Sequence, residues 1–270
     1  MQEPHLPSLD LDIRRLLRRA GSFTVQEFRR FSADRIEYKG ERNPFTYVDV
    51  TTDTMLREGC EALLPGSGFI NEELAAVSSQ NGYTWIIDPV DGTVNFIHGI
   101  PHYCISLALT RGEEILLGYI YQPVYRQLFR AAKGKGAFLN GKKIRVSDRS
   151  ETGKSVIATG FPYQGGNERD HHFAILRKLS DTAHGIRRFG SAALDLAWVA
   201  AGRFDAFFEY NLSPWDVAAG ILIVEEAGGQ CSDFSGGNNA LFGKQILASN
   251  GLMHPHMLEM IGNAATASGR

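Results

Sequence analysis

The sequence predicts an α+β protein whose first half carries consecutive strands and whose second half alternates strands with helices. In the first half, strand-like apolar runs follow one another with no helical pattern between them, at 83–88, 103–111, 115–122 and 127–132. Such a series predicts a mixed or antiparallel sheet rather than a strict βαβ repeat. In the second half, strand-like and helix-like runs succeed each other along the chain.

The first half opens with two predicted helices. The first begins near Leu9 and is amphipathic, with an apolar side and a side rich in arginine. The apolar side consists of Ile13, Leu16, Leu17 and Ala20, and the basic side consists of Arg14, Arg15, Arg18 and Arg19. The second helix runs from about Thr46 to Leu64. After the strands, Asn140-Gly141 is a strong signal for a hairpin turn.

The second half is predicted to begin after the polar segment 147–154. The predicted elements in order are a strand at 155–160, a helix at 168–179, a strand at 186–188, a helix at 191–201, a strand at 204–209, a helix at 214–227, a strand at 245–249 and a C-terminal helix. We expect an N-terminal α+β lobe, 1–150, and a C-terminal α/β lobe, 151–270, in one compact structural unit.

Composition limits the functional classes. With 270 residues, of which 43% are hydrophobic, the chain can bury a sizeable core. A net charge of −2 and a pI near 6.5 argue against a general nucleic-acid-binding or membrane-surface protein. No apolar stretch reaches the roughly 18 residues of a membrane helix, and no signal-peptide pattern is found. Cys60, Cys104 and Cys231 are widely spaced and are expected to be reduced, which favours a cytoplasmic location.

The segment 85–93 carries the strongest chemical signal. Its apolar residues predict the end of a buried strand, which delivers Asp88 and Asp91 into a turn containing Pro89 and Gly92. Two carboxylates at 4 Å repel each other by about 4 kcal/mol at an effective dielectric constant near 20, so a cation is expected between them. An ordinary Asp-rich turn explains the same residues without any ligand.

Three other acids also lie at the ends of predicted elements. Glu72 follows the apolar pair Phe69-Ile70, Asp216 lies three residues after Ser213, and Asp49 lies three residues after Thr46. The last two spacings are those of helix capping boxes, which is a complete structural explanation for each acid alone. Carboxylate ligands without nearby His or Cys suit Mg²⁺, Mn²⁺ or Ca²⁺ rather than Zn²⁺. Since no EF-hand or P-loop pattern is present, we predict a metal-dependent phosphate enzyme.

At these residues the chain resembles the inositol monophosphatase family. Two signature segments are similar to those of the family, namely Asp88-Pro89-Val90-Asp91-Gly92-Thr93 with Asn95-Phe96, and Trp215-Asp216-Val217-Ala218-Ala219-Gly220 with Glu226-Ala227-Gly228-Gly229. Two shorter similar segments are Phe69-Ile70-Asn71-Glu72-Glu73 and Gly190-Ser191-Ala192-Ala193. The likeness covers about 46–250. It implies a layered αβαβα sandwich of the sugar-phosphatase type, usually a homodimer.

The resemblance also implies a two-ion Mg²⁺ centre, with a third, loosely held ion as a further option. Glu72, Asp88 and the Val90 carbonyl would hold the first ion. Asp88, Asp91 and Asp216 would hold the second, which is the site where Li⁺ would inhibit. Thr93, paired with Asp49, would orient the attacking water, and Glu72 would help to position that water or the third ion.

The implied substrate is a small phosphorylated polyol, most directly inositol 1-phosphate. Backbone N–H groups of Gly92 and Thr93 would bind the phosphate. The remaining substrate contacts would come from Asp91, Gly190, Ser191, Ala192 and Glu209. Relatives act on fructose 1,6-bisphosphate, histidinol phosphate and phosphoadenosine phosphates, so these substrates stay open. Departures from the family pattern lie at Asn43-Pro44-Phe45, Asn71 and Ser213, and Lys39 is only near a phosphate-side lysine position.

Two alternatives belong to other classes. A haloacid-dehalogenase-like phosphatase also has an acidic strand end, but its two aspartates are two residues apart, whereas Asp88 and Asp91 are three apart. A non-catalytic role of the same fold in binding protein or RNA is the second. Its support in the sequence is the series Arg14-Arg15, Arg18-Arg19 and Arg29-Arg30, which is more often a solvated helix face.

Overall fold

The computed structural model describes residues 6–32, 36–40, 43–162 and 166–268, and it has the predicted α+β architecture. The helices in these ranges are α1 (Leu6–Arg30), α2 (Tyr47–Leu63), α3 (Thr93–Ile97), α4 (Asn167–Thr182), α5 (Ala192–Ala200), α6 (Pro214–Glu226) and α7 (His254–Ser268). A short 3₁₀ helix covers Thr152–Lys154. Within the described ranges, no helix has both the length and the apolar character needed to cross a membrane.

Fourteen strands lie in the same ranges. They are β1 (Ile36–Gly40), β2 (Asn43–Thr46), β3 (Gly68–Asn71), β4 (Tyr83–Asp91), β5 (Cys104–Arg111), β6 (Glu114–Gln122), β7 (Gln127–Ala132), β8 (Ala137–Leu139), β9 (Lys142–Lys143), β10 (Val156–Thr159), β11 (Gly185–Arg187), β12 (Ala206–Tyr210), β13 (Gln230–Ser232) and β14 (Gln245–Ser249). The strands β1 and β2 form a separate antiparallel hairpin.

The first sheet has seven strands in sequence order, from β3 to β9. Strands β3 and β4 are parallel, and every later neighbouring pair is antiparallel, so the predicted mixed sheet is confirmed. The predicted hairpin joins β8 and β9, where Asn140 and Gly141 have φ angles of 50° and 83°. Positive φ at both central positions is the geometry that an Asn-Gly turn favours.

The second sheet has five strands in the order β11-β10-β12-β14-β13. The strands β11, β10 and β12 are parallel, whereas β14 runs antiparallel to both of its neighbours. The helices between these strands provide the crossovers that parallel pairing requires. All strands of this sheet lie after residue 155, and all strands of the first sheet lie before residue 144. The division into two lobes stays a prediction.

The two sheets and their helices form the expected αβαβα layers. One core lies between α1, α2 and the first sheet, and includes Ile13, Leu56 and Trp85. The largest core contains α5 and α6 between both sheets. A third lies between the second sheet and α4 with α7. Because α6 is covered on both sides, it is buried continuously from Val217 to Val224, which explains its lack of a polar face.

The elements that the sequence did not predict are mostly short. The hairpin β1–β2, the three-residue strand β13 and the five-residue helix α3 fall in segments without a clear apolar period. The long helices and the strands β4 to β7 are found within a few residues of their predicted ends. Strong periodicity over many residues identifies an element, whereas a short strand is defined by its partner in the sheet.

Candidate metal centre and substrate pocket

Three carboxylates from distant parts of the chain converge in a buried site. Ligand atoms of Asp88, Asp91 and Asp216 all lie within 4.8 Å of one another. Asp88 and Asp91 lie at the end of β4, and Asp216 lies in the first turn of α6. The structure therefore brings together the three acids that the sequence assigned to one ion.

An irregularity in β4 places both of its acids on the same side. Asp88 lies opposite Ser106 and Asp91 lies opposite Cys104, so three steps on β4 match two steps on β5. In a regular strand, residues three apart point to opposite faces of the sheet. The extra residue forms a bulge, which turns Asp91 back toward Asp88.

Asp88 is buried among the other acids of the site. It is 2% exposed, and its Oδ1 accepts a hydrogen bond from the Val90 N–H at 2.9 Å. Burial raises the pKa of its carboxyl well above the ordinary value, and the negative charges of Glu72, Asp91 and Asp216 raise it further. Glu72 therefore lies close to the cluster. Its own backbone N–H donates to the Ile87 carbonyl at 3.2 Å, which joins its loop to β4.

The orientation of Asp91 is held by the start of α5. Its Oδ2 accepts hydrogen bonds from Ser191 Oγ and from the Ala193 N–H, both at 2.7 Å. The Cys104 thiol lies 3.8 Å from the same oxygen. Burial raises the pKa of Asp91 to about 6, and these donors limit the rise. Because burial also raises the pKa of the Cys104 thiol, this sulfur stays protonated and the donor set consists of carboxylate oxygens.

Asp216 and Asp49 are both capping residues, as their spacing predicted. Asp216 Oδ2 accepts from the Ser213 N–H at 2.7 Å, and Asp49 Oδ2 accepts from the Thr46 N–H at 2.9 Å. In each case the capping hydrogen bond uses Oδ2 of the carboxylate and thereby fixes the direction of Oδ1. The capping explanation and a ligand role are therefore compatible in this fold. Burial, followed by the charge of Asp91, raises the pKa of Asp216 well above its ordinary value.

Asp49, Thr93 and Val90 form a connected group beside the cluster. Thr93 Oγ1 lies 3.2 Å from Asp49 Oδ1 and 3.0 Å from the Val90 carbonyl oxygen, and it can donate to either. Asp49 is almost completely buried, and burial raises its pKa to about 6. The predicted pairing of Thr93 with Asp49 is thus present in the structure.

Gly92 and the turn at Gly190, both predicted to contact the substrate, lie beside the same acids. Gly92 begins α3 with φ of 100°, and a Cβ there would lie 3.0 Å from the His102 carbonyl oxygen, so only glycine fits without strain. Asn95 Nδ2 lies 2.7 Å from the carbonyl oxygens of His102 and Phe189, which joins α3 to the turn before Gly190. This contact connects the first signature segment to the shorter similar segment that begins at Gly190.

Glu209 lies at the end of β12, beside Gly160. A Cβ at Gly160 would fall 1.8 Å from Glu209 Oε1, so the glycine leaves the space that this carboxylate occupies. Burial raises the pKa of Glu209 to about 8, the charge of Arg188 opposes the rise, and the charge of Asp91 adds to it. Among the described residues, no hydrogen bond joins Glu209 to the three-acid cluster, although its charge raises the pKa of Asp216, and its place in the substrate pocket stays a prediction. The side chain of Lys39 lies outside the described residues.

The comparison with known proteins identifies the family. The family model described as "Inositol monophosphatase family" matches residues 10–268. The chain belongs to the inositol monophosphatase family. It is therefore a phosphatase, and the resemblance inferred from the signatures is confirmed.

The relatives carry two kinds of name. The inositol-1-monophosphatase of Caulobacter vibrioides is 42% identical over 248 residues, which is 90% of this chain and 97% of the relative. The Nus factor SuhB of Haemophilus influenzae is 38% identical over 256 residues, covering 94% and 96% of the two chains. The crystal structure of the extragenic suppressor protein suhB from Bartonella henselae is 37% identical, with a TM-score of 0.91 over 94% of this chain and 98% of that one.

One acid of this phosphatase site was missed by the sequence analysis. Asp53 is completely buried on α2, one turn after Asp49. Its Oδ1 accepts from Asn71 Nδ2, and its Oδ2 accepts from the backbone N–H groups of Glu73 at 3.3 Å and Leu74 at 3.2 Å. These bonds fix Asn71 and Glu73, the residues on either side of Glu72 in the chain. The sequence could have indicated Asp53, because this acid lies on the same face of α2 as Asp49 and the buried Leu56.

We expect Asp53→Asn to lower the metal affinity of this phosphatase more than it lowers the stability of its fold. Asparagine places an N–H₂ group opposite one of the present donors and loosens the loop that carries Glu72. Loss of such a supporting contact typically lowers metal affinity by about 10–100-fold. The measurement is the Mg²⁺ concentration for half-maximal activity, together with Mg²⁺ binding by calorimetry. Glu58→Gln, an exposed change on the same helix, is the control. Equal Mg²⁺ affinities in the two variants would contradict the assignment.

Proposed function

We propose that this phosphatase hydrolyses a small phosphorylated polyol, inositol 1-phosphate in particular, with Mg²⁺ as cofactor and water as nucleophile. The observation that carries the proposal is the convergence of the buried Asp88 and Asp91 with the half-buried Asp216. The charges of Asp91 and Asp216 raise the pKa of Asp88, and the charge of Asp91 raises the pKa of Asp216, so a cation between these carboxylates would stabilise their ionised forms. The name of the Caulobacter relative supports the substrate.

The donor chemistry of the site fits Mg²⁺. Glu72, Asp88 and the Val90 carbonyl would hold one ion, and Asp88, Asp91 and Asp216 would hold a second. These are hard oxygen donors, and Cys104, the nearest thiol, is protonated. When bound, Mg²⁺ supplies Lewis-acid stabilisation of phosphate charge and lowers the pKa of water. A third ion, if used, would lie near Glu72.

Thr93 and Asp49 would orient the attacking water. With the Thr93 hydroxyl donating to Asp49 Oδ1, the lone pairs of Thr93 Oγ1 can accept a hydrogen bond from that water. Asp49 accepts best when ionised, which requires a pH above its pKa of about 6. Glu72 would help to position this water or a third ion.

The remaining predicted residues would hold the substrate. Backbone N–H groups of Gly92 and Thr93 would donate to the phosphate oxygens. The side chains of Asp91 and Glu209 would accept hydrogen bonds from polyol hydroxyls, and the turn Gly190, Ser191 and Ala192 would contact the ring. The Ser191 hydroxyl already donates to Asp91, so a substrate contact there uses its backbone or its oxygen lone pairs.

Direct attack by water predicts inversion at phosphorus. Hydrolysis of a P-chiral phosphate ester in ¹⁸O-labelled water should invert its configuration, because no enzyme side chain becomes phosphorylated. Retention of configuration would show a covalent intermediate and would reject the proposed mechanism. The haloacid-dehalogenase-like alternative requires such an intermediate, so the same experiment separates the two.

A substrate panel tests the assignment of inositol 1-phosphate. Its kcat/KM should exceed those of fructose 1,6-bisphosphate, histidinol phosphate and phosphoadenosine phosphate, measured at the same Mg²⁺ concentration. A higher value for one of the other three would reassign the substrate and keep the reaction class.

We expect Li⁺ to inhibit the enzyme by replacing the Mg²⁺ held by Asp88, Asp91 and Asp216. Inhibition should weaken as the Mg²⁺ concentration is raised, because the two cations compete for one site, and NaCl at the same concentration is the control for ionic strength. Full activity in tens of millimolar Li⁺ would show that the second ion site differs from the proposed one, without changing the reaction class.

A second candidate function is binding to a protein or RNA partner, and the Haemophilus relative carries the name Nus factor SuhB. The exposed arginines of α1 would be the surface for it. Loss of phosphate release in Asp91→Asn, with full activity when Arg18 and Arg19 are both replaced by glutamate, would favour the enzyme. The opposite pattern would favour the binding role.

We further propose a cytoplasmic homodimer. All three cysteines are free thiols, two of them buried, which fits a reducing compartment. Light scattering of the purified protein tests the dimer, since a monomeric mass at micromolar concentration would reject it.

A further inference from the structure

A pocket lined by arginines lies on the α1 side of the first sheet. Arg14 and Arg18 come from α1, one turn apart, Arg126 comes from the turn between β6 and β7, and Arg130 comes from β7. The cavity has a volume of about 540 Å³, within the range of small-molecule sites.

This pocket is separate from the carboxylate cluster. Tyr121 and Leu128, which line it, belong to the core between α1 and the first sheet. Cys104, the neighbour of Asp91, belongs to the core on the opposite face, with α5 and α6. A ligand in the pocket would therefore not touch the proposed catalytic residues.

The pocket carries an excess of positive charge. Arg14 Nε lies 3.0 Å from Asp10 Oδ2, and Arg130 Nη1 lies 3.4 Å from Asp10 Oδ1, so these two arginines share one carboxylate. In the part of the chain that the structure describes, no acid forms an ion pair with Arg18 or Arg126. Four guanidinium groups thus face one acid, on a protein whose formal net charge is −2.

Arg18 and Arg126 both lie near Tyr121, which lines the pocket. Burial raises the pKa of the Tyr121 phenol, and the charges of both arginines oppose that rise. Their guanidinium groups are therefore close to one ring although they come from different elements. Ser22 and Asn140 add neutral polar groups to the lining.

The backbone of Arg126 is in an unusual conformation. Its φ angle is 52°, in the left-handed region that glycine and asparagine adopt most easily. An arginine at this position costs conformational energy that a glycine would not. Its exposed guanidinium beside the pocket is consistent with a role in binding.

We propose that this pocket binds a small organic polyphosphate, with two or more linked phosphate groups, as in a nucleoside diphosphate or triphosphate. Guanidinium groups donate paired hydrogen bonds to phosphate oxygens, and several of them can share a chain of phosphates. The excess positive charge matches such an anion. The concave shape favours a small molecule over a long nucleic acid, which would need an extended basic groove with stacking aromatics.

Calorimetric titration of the full chain with inorganic tripolyphosphate tests the proposal. The titration is done in EDTA, where the metal-free carboxylates repel anions, so the result does not depend on the proposed phosphatase mechanism. We expect one molecule bound per chain and at least about tenfold weaker binding of orthophosphate. The double variant Arg18→Ala with Arg126→Gly should bind tripolyphosphate at least about tenfold more weakly than the native chain.

The controls separate a built site from general charge attraction. Arg15→Ala removes an arginine of the same helix that pairs with Asp12 and does not line the pocket, and it should bind as the native chain does. Because Arg126→Gly suits the local backbone, its melting temperature should equal or exceed that of the native chain. Absence of tripolyphosphate binding, or an equal loss in Arg15→Ala, would overturn the proposal. Displacement by single-stranded RNA that tightens with oligonucleotide length would also overturn it, in favour of a nucleic-acid surface.

Discussion

Asp91→Asn should lower kcat/KM for phosphate release on the order of 1000-fold. Stabilisation of transition-state charge by a bound metal amounts to several kcal/mol, and each 1.4 kcal/mol corresponds to about a factor of ten in rate. Asparagine can still accept from Ser191 Oγ and the Ala193 N–H through its amide oxygen. It lacks the negative charge that the proposed second ion needs. The loss should therefore appear as weaker Mg²⁺ activation and lower kcat with the fold intact.

The controls for this variant use both activity and stability. Asp12→Asn removes an exposed acid of α1 and should leave kcat/KM unchanged. In EDTA, Asp91→Asn should melt at the same temperature as the native chain or higher, because one of three mutually repelling charges is gone. Near-native activity in Asp91→Asn would contradict the ligand assignment. Loss of activity together with a large decrease in melting temperature would indicate a structural role for Asp91.

Mg²⁺ should stabilise the protein much more at pH 8 than at pH 5. The carboxyls of Asp88, Asp91 and Asp216 have folded-state pKa values raised above those of the unfolded chain. Without metal, an acid with a raised folded pKa favours the folded state at low pH. That advantage is lost as pH rises from the unfolded pKa to the folded pKa. For Asp91 this window extends from 3.8 to about 6.

The expected size of this effect follows from Asp91 alone. A rise in pKa from 3.8 to about 6 corresponds to a loss of about 3 kcal/mol of folding free energy across the window. A bound divalent ion restores it and adds its own binding free energy. The measurement is the free energy of unfolding with Mg²⁺ and with EDTA at each pH. Asp49 and Asp53 titrate under both conditions and largely cancel in the difference.

Two outcomes of the pH series would count against the metal centre. A Mg²⁺ effect that is the same at pH 5 and pH 8 would mean that the ion does not compete with protons at these carboxylates. A Mg²⁺ effect that persists in a double variant, Asp91→Asn with Asp216→Asn, would place the ion elsewhere. Ca²⁺ in place of Mg²⁺ should reproduce the stabilisation, since it also takes oxygen ligands.

The regular elements could be predicted from the sequence because their signals are local. The amphipathic α1, the apolar α6 and the strands around Trp85 carry their period within a few turns of chain. The capping boxes at Thr46–Asp49 and Ser213–Asp216 were also readable, since both partners lie three residues apart. The hairpin β1–β2 could not be predicted from the sequence, because its two short strands are defined by their pairing with each other.

The candidate site was predictable as a set of acids but not as a geometry. Asp88 and Asp91 are close only because β4 carries a bulge against β5, which no spacing along the chain reveals. Asp216 reaches them because α6 packs between the two sheets. The supporting role of Asp53 depends on Asn71 and Glu73, far along the chain from it.

From its sequence alone, this protein shows which segments form its long helices and strands, and which acids stand at their ends. These properties depend on neighbouring residues, whose backbone preferences and capping bonds act within one or two turns. Tertiary structure decides that acids from β4 and α6 share one buried site, and that arginines from α1 and two other segments share one pocket. Both arrangements arise from layer packing, because burying the apolar faces of helices and sheets sets the directions in which their polar ends point.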